Sequence, residues 1–86
     1  ASHYAPGKPM LLDCTAPPAD AFVIGFGPGP CDFRLSEGAS LTEAASRLFD
    51  ALHAGAASDR PRIAVAPIPD EGLGLAINDR LRRAAA

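Results

Sequence analysis

The period of the apolar positions changes along this chain, and each change marks an element. Met10-Leu11-Leu12-Asp13-Cys14 opens with a short apolar run, and Ala21-Phe22-Val23-Ile24-Gly25-Phe26 is a longer one bounded by turn residues. An uninterrupted run of that kind is the pattern of a strand covered on both faces, which predicts a central position in a sheet. Asp32-Phe33-Arg34-Leu35-Ser36 alternates instead, with Phe33 and Leu35 to one side and Arg34 to the other, as an edge strand does. The spacing then lengthens. Leu41, Ala44, Ala45, Leu48, Phe49 and Leu52 recur on one helical face behind the capping box Ser40-Leu41-Thr42-Glu43, which predicts a helix fading near Gly55. Residues 62–66 (RIAVA) form a further apolar strand closed by Pro67-Ile68-Pro69. Leu73, Ala76, Ile77 and Leu81 define a last amphipathic helix that starts near residues 70–72 and carries Asp79, Arg82 and Arg83 on its charged side.

The connections between these runs set the architecture. Residues 1–9 (ASHYAPGKP) carry prolines and a glycine and no period, which reads as an extended arm. Residues 15–20 (TAPPAD) are too short for a helix-mediated parallel crossover, whereas the helix after the third strand supplies enough chain for a right-handed one. The second and last strands are therefore expected to be parallel. The expected fold is α/β: a small Rossmann-like domain over residues 10–86, with a mixed sheet of about four strands and two main helices.

At 86 residues the chain makes one domain, whose single core buries roughly 60% of the unfolded surface. With 48% hydrophobic and 21% charged residues it has the composition of a folded protein. A formal charge of −2 gives no global electrostatic footprint for DNA, RNA or an anionic membrane. The one basic cluster is Arg80, Arg82 and Arg83, which suits the macrodipole of a last helical turn and leaves an RNA contact as the alternative. No apolar run approaches the roughly 18 residues needed to cross a bilayer, and no targeting signal is visible, so a cytoplasmic location is expected. Cys14 and Cys31 are expected as reduced thiols.

Candidate chemistry is sparse. Residues 25–30 (GFGPGP) place Gly25, Gly27 and Gly29 directly after a strand, where phosphate is often bound, but a dinucleotide fingerprint needs the turn to enter a helix. Here Pro28 and Pro30 lack N–H donors and a strand follows. Gly72 and Gly74, at the mouth of the last helix, expose helix N-terminal amides in principle, while Asp70 and Glu71 beside them repel anions. Carboxylates are scattered, and His3, His53 and the cysteines have no metal-ligand spacing. No catalytic residue and no metal site are expected.

Three ordered stretches carry a family resemblance. Ser2-His3-Tyr4-Ala5-Pro6 with Lys8-Pro9 resembles the SHYAP segment that opens the C-terminal domain of the longer threonylcarbamoyl-AMP synthases, the Sua-five type relatives of the YrdC/YwlC enzymes. Residues 43–52 (EAASRLFDAL) are similar to that domain's EAAxxLFxAL helix, and residues 66–81 (APIPDEGLGLAINDRL) to its closing GLGxAIxxRL helix with the proline-rich strand exit before it. In one respect the chain departs from the pattern: TAPPAD stands where a helical crossover is often found. The resemblance implies a non-catalytic accessory domain docked on a YrdC-like catalytic domain of the same chain, which makes threonylcarbamoyl-AMP from threonine, bicarbonate and ATP for tRNA modification. On that reading the domain binds no cofactor, the parent enzyme uses ATP with a divalent cation, and tRNA is met only indirectly. The arm from Ser2 to Pro6 would lie as a lid near the partner's active site, or pack on its own domain. Two other readings stay open: a small-ligand module for a nucleotide or amino acid at the glycine-rich turns, and a tRNA-contacting module using the three arginines.

Overall fold

The computed structural model describes residues 7–86. The element order is β1 (Met10–Leu11), β2 (Ala21–Gly25), β3 (Phe33–Arg34), α1 (Leu41–Ala57), β4 (Arg62–Val65) and α2 (Leu73–Ala85). The strands form one four-stranded sheet in the order β1-β4-β2-β3. β2 is thus central and β3 an edge, as the apolar pattern predicts.

The sheet is not mixed: all of its pairings are parallel, β1 to β4 (Met10↔Ile63), β2 to β4 (Ala21↔Arg62 through Ile24↔Val65) and β2 to β3 (Ile24↔Phe33). Two helix-free connections make this possible. Residues 12–20 run back from β1 to the start of β2, an extended path for which roughly 3.3 Å per residue is ample length. Residues 26–32 double back beside β2, and β3 needs only a short return because it is two residues long. The usual dozen-residue crossover applies to strands of ordinary length. Only α1, between β3 and β4, is a helical crossover, and the strand order carries it across β2.

Strand alternation sorts the two faces of the sheet. Phe22, Ile24, Ile63 and Val65 face the helices, where Ile24, Leu35, Leu48, Leu52, Ile63, Val65, Ile77 and Leu81 make one core. Ala21 and Val23 face the other way, beneath Pro17 and Pro18 of the 12–20 connector. Among the described residues no buried side-chain nitrogen or oxygen lacks a hydrogen-bond partner. A single core with its polar groups satisfied is the condition for folding as an independent unit.

α1 differs from its expected stripe. Its buried positions are Ala44, Leu48, Ala51, Leu52 and Gly55, whereas Ala45 and Phe49 are exposed. Phe49 is 48% exposed and lies against His53, with ring centroids 4.3 Å apart. The helix continues past Gly55 because that glycine is a packing position: a Cβ there would stand 2.8 Å from Cδ1 of Ile63. At the N-terminus Ser40 accepts from the Glu43 N–H at 3.2 Å. The Ser40 N–H donates to Oγ of Ser36 at 2.9 Å, so the return bond expected from Glu43 comes from Ser36.

Candidate functional site

Of the arm, Gly7 to Pro9 belong to the described residues, while Ser2, His3, Tyr4, Ala5 and Pro6 lie outside them. The base of the arm is tied to two elements. Nζ of Lys8 donates to the carbonyl of Gly55 at 2.9 Å and to that of Ser58 at 2.7 Å, with Oγ of Ser58 at 3.4 Å. The Pro9 carbonyl accepts the Ile63 N–H at 3.0 Å, which begins the β1–β4 ladder. The last carbonyls of a helix have no intrahelical donor and carry partial negative charge. α1 has no basic residue in its last turn, and Lys8 supplies the cation from far away in sequence. The sequence held no signal for this, because a lone lysine between Gly7 and Pro9 belongs to no periodic pattern.

The GFGPGP turn is built by internal bonds. The Gly27 N–H donates to the Ser36 carbonyl at 2.7 Å, the Gly25 carbonyl accepts from Leu35 at 2.8 Å, and Nη1 of Arg34 donates to the Gly27 carbonyl at 2.8 Å. Gly27 and Gly29 hold φ of 84° and 123°, which explains glycine at these positions without a ligand. Gly25 abuts Cys31, whose Cβ and Sγ would lie 2.9 and 3.0 Å from an added Cβ. Cys14 and Cys31 are both free thiols, half-buried.

At the mouth of α2, Gly72 is the N-cap and has no side-chain capping bond. The Gly74 N–H donates to the Glu71 carbonyl at 2.8 Å and that of Leu75 to the Gly72 carbonyl at 3.1 Å, so these donors point into the turn. Gly74 is buried, and a Cβ there would collide with the Pro69 carbonyl. Asn78 closes the corner, donating to the Ile68 carbonyl at 2.9 Å and to Oδ1 of Asp70 at 3.2 Å.

One groove of about 350 Å³ opens on the face away from the helices, lined by the connector (Pro17, Pro18), β2 (Val23), Cys31, Asp32 and Arg60. It contains none of the five glycines singled out in sequence. Its charged rim finishes the edge of β2 where β3 stops short. Oδ2 of Asp32 accepts the Val23 N–H at 2.8 Å, the Asp32 N–H donates to the Val23 carbonyl at 2.8 Å, and Nη1 of Arg60 donates to the Ala21 carbonyl at 2.7 Å. Arg60 and Asp32 also approach each other at 3.7 Å. Neither residue stood out as chemistry in the sequence, since Asp32 reads as the start of the edge strand and Arg60 falls in a short loop.

Of the α2 arginines, Arg80 and Arg83 stand three residues apart on one side of the helix, where Arg83 pairs with Asp79 at 2.7 Å, and the exposed Arg82 points about 100° around the helix from Arg83. Among the described residues no three His, Cys, Asp or Glu side chains come together as a metal site, and no helix is long and apolar enough to cross a membrane.

The described residues thus form a small, all-parallel α/β domain whose glycine turns are bonded within their own loops and whose residues 8 and 9 are tied to α1 and β4. The family model of the threonylcarbamoyl-AMP synthase C-terminal domain matches residues 1–86, and the chain belongs to that family. No curated protein and no solved structure gives a match.

Proposed function

We propose that this chain is the non-catalytic accessory domain of a cytoplasmic threonylcarbamoyl-AMP synthase, and that it docks on a YrdC-like catalytic domain of the same polypeptide and positions the arm Ser2 to Pro6 over that domain's active site. The observation that supports this most is the Lys8–Pro9 clamp, which gives the arm a fixed origin on α1 and β4. A proline-containing arm held at its base has less freedom to lose when it closes over a site. ATP and its divalent cation belong to the catalytic domain on this reading. The described residues here offer no cluster of metal ligands, and the Gly27 donor is already engaged. Contact with tRNA is indirect.

The test compares the parent enzyme with a variant lacking residues 1–86 and with the isolated 86-residue chain, measuring pyrophosphate release from ATP in the presence of threonine and bicarbonate. The expected outcome is no release by the isolated chain and reduced turnover by the truncated enzyme. Undiminished turnover without the domain would remove the accessory role.

The groove beside Asp32 and Arg60 favours a second reading, a small-ligand module, because its volume of about 350 Å³ reaches the lower range of ligand sites. An amide NMR titration of the domain with ATP and with threonine separates the two. Shifts clustered at Val23, Cys31 and Asp32 support the ligand module, and a silent spectrum removes it.

A further inference from the structure

The acceptors around Lys8 form a receptor that is organised independently of the lysine. Oγ of Ser58 donates to the Gly55 carbonyl at 2.7 Å and accepts the Arg60 N–H at 3.3 Å, and the Ser58 N–H donates to the Gly55 carbonyl at 3.3 Å. These bonds hold two carbonyls and a hydroxyl at the end of α1 in a fixed set. An ammonium has three N–H donors, and three acceptors stand within 3.4 Å of Nζ. On the C-terminal side of Lys8 the Pro9 ring fixes φ, and its carbonyl is bonded to β4. On the N-terminal side Gly7 turns the chain at φ 76° with nothing within 4 Å of an added Cβ, so glycine is required there by backbone conformation and not by space.

We propose that Gly7-Lys8-Pro9 is a fixed pivot, in which Lys8 is a positioning residue that anchors the chain to the end of α1 and Gly7 sets the direction in which residues 1–6 leave the domain. Its consequence for turnover rests on the accessory reading above; the pivot itself does not. Removing the ammonium leaves the residue-8 backbone held only through Pro9, and positions 7 and 8 lose their tie to α1. An arginine keeps the charge and reaches the same carbonyls, so it preserves the anchor.

The test is ¹⁵N relaxation on the 86-residue chain and on Lys8→Met, Lys8→Arg and Ser58→Ala. In the native chain the heteronuclear NOE at Lys8 is expected to match that of Ile63 in the sheet. Lys8→Met is expected to lower the NOE at positions 7 and 8 to that of a free chain end while the Leu48 and Ile63 amides keep their native shifts, and Lys8→Arg restores it. Ser58→Ala, which removes one acceptor and the brace on another, gives a partial loss and carries the same test should Lys8→Met unfold. An unchanged NOE at position 8 in the Lys8→Met and Ser58→Ala chains overturns the pivot. In the two-domain parent, Lys8→Met is expected to lower turnover and Lys8→Arg to recover it. A loosened base with unchanged turnover leaves the pivot standing and overturns the arm's part in the proposed function.

Discussion

Gly74 is the position where one added carbon changes most. In an exposed helix an alanine stabilises relative to glycine by about 1 kcal/mol. Here the Cβ meets the Pro69 carbonyl, a backbone atom that cannot swing aside. Gly74→Ala is therefore expected to destabilise the domain by roughly 1–3 kcal/mol, the range for overpacking, with the sign opposite to helix propensity. Urea unfolding of Gly74→Ala against the exposed control Ala76→Gly checks both signs. Ser36 gives a second case. It is 2% exposed and its Oγ receives the Ser40 N–H that begins α1. Ser36→Ala is expected to cost about 1–2 kcal/mol, as for a lost helix cap, read by the same unfolding experiment. The residues of the capping box were legible in the sequence, since Ser40 and Glu43 have the right spacing. The partner for the second bond was not, because Ser36 belongs to the preceding segment and reaches Ser40 only through the fold.

At the scale of elements, the edge of β2 is closed by side chains. β3 pairs with Ile24 and Gly25 only, and Asp32 and Arg60 take up the Val23 N–H and the Ala21 carbonyl below. An open strand edge is a template for pairing with another chain. The double variant Asp32→Ala with Arg60→Ala is expected to self-associate with rising concentration in sedimentation velocity, while the native chain does not. Monomeric behaviour of the double variant at all concentrations would show that the two side chains do not guard the edge. The existence and order of all six elements could be read from apolar spacing, as could the central place of β2, because burial dictates both. The parallel pairing of β2 with β4 could also be read, from the helix that separates them, but the directions of β1 and β3 could not, since alternation is the same whichever way a strand runs. On α1, Ala44, Leu48 and Leu52 face the core as the spacing predicts, but size draws the expected stripe toward the exposed Ala45 and Phe49, while the small residues Ala51 and Gly55 complete the buried face. The glycine turns were visible at once, but whether their donors face a ligand or their own loop depends on Ser36 and Glu71, which only the folded chain brings near.

For the whole molecule, a net charge of −2 and the pairing of Arg83 with Asp79 argue against autonomous tRNA binding. Filter retention of tRNA by the 86-residue chain is expected to be negligible at physiological salt; strong retention that falls steeply with added salt would reinstate the RNA-contacting reading. The topology also has a consequence in time. β1 enters the sheet through Met10 and Leu11, and their partners Ile63 and Ala64 are made only after α1 is complete. Synthesis runs from the N-terminus, so the ribosome must deliver most of this domain before its first strand has anything to pair with. Any domain that precedes it on the same polypeptide finishes emerging while residues 7–9 still have no β4 and no helix end to hold them. The path of the chain at residues 7–9 is therefore set only once β4 and the end of α1 have been made.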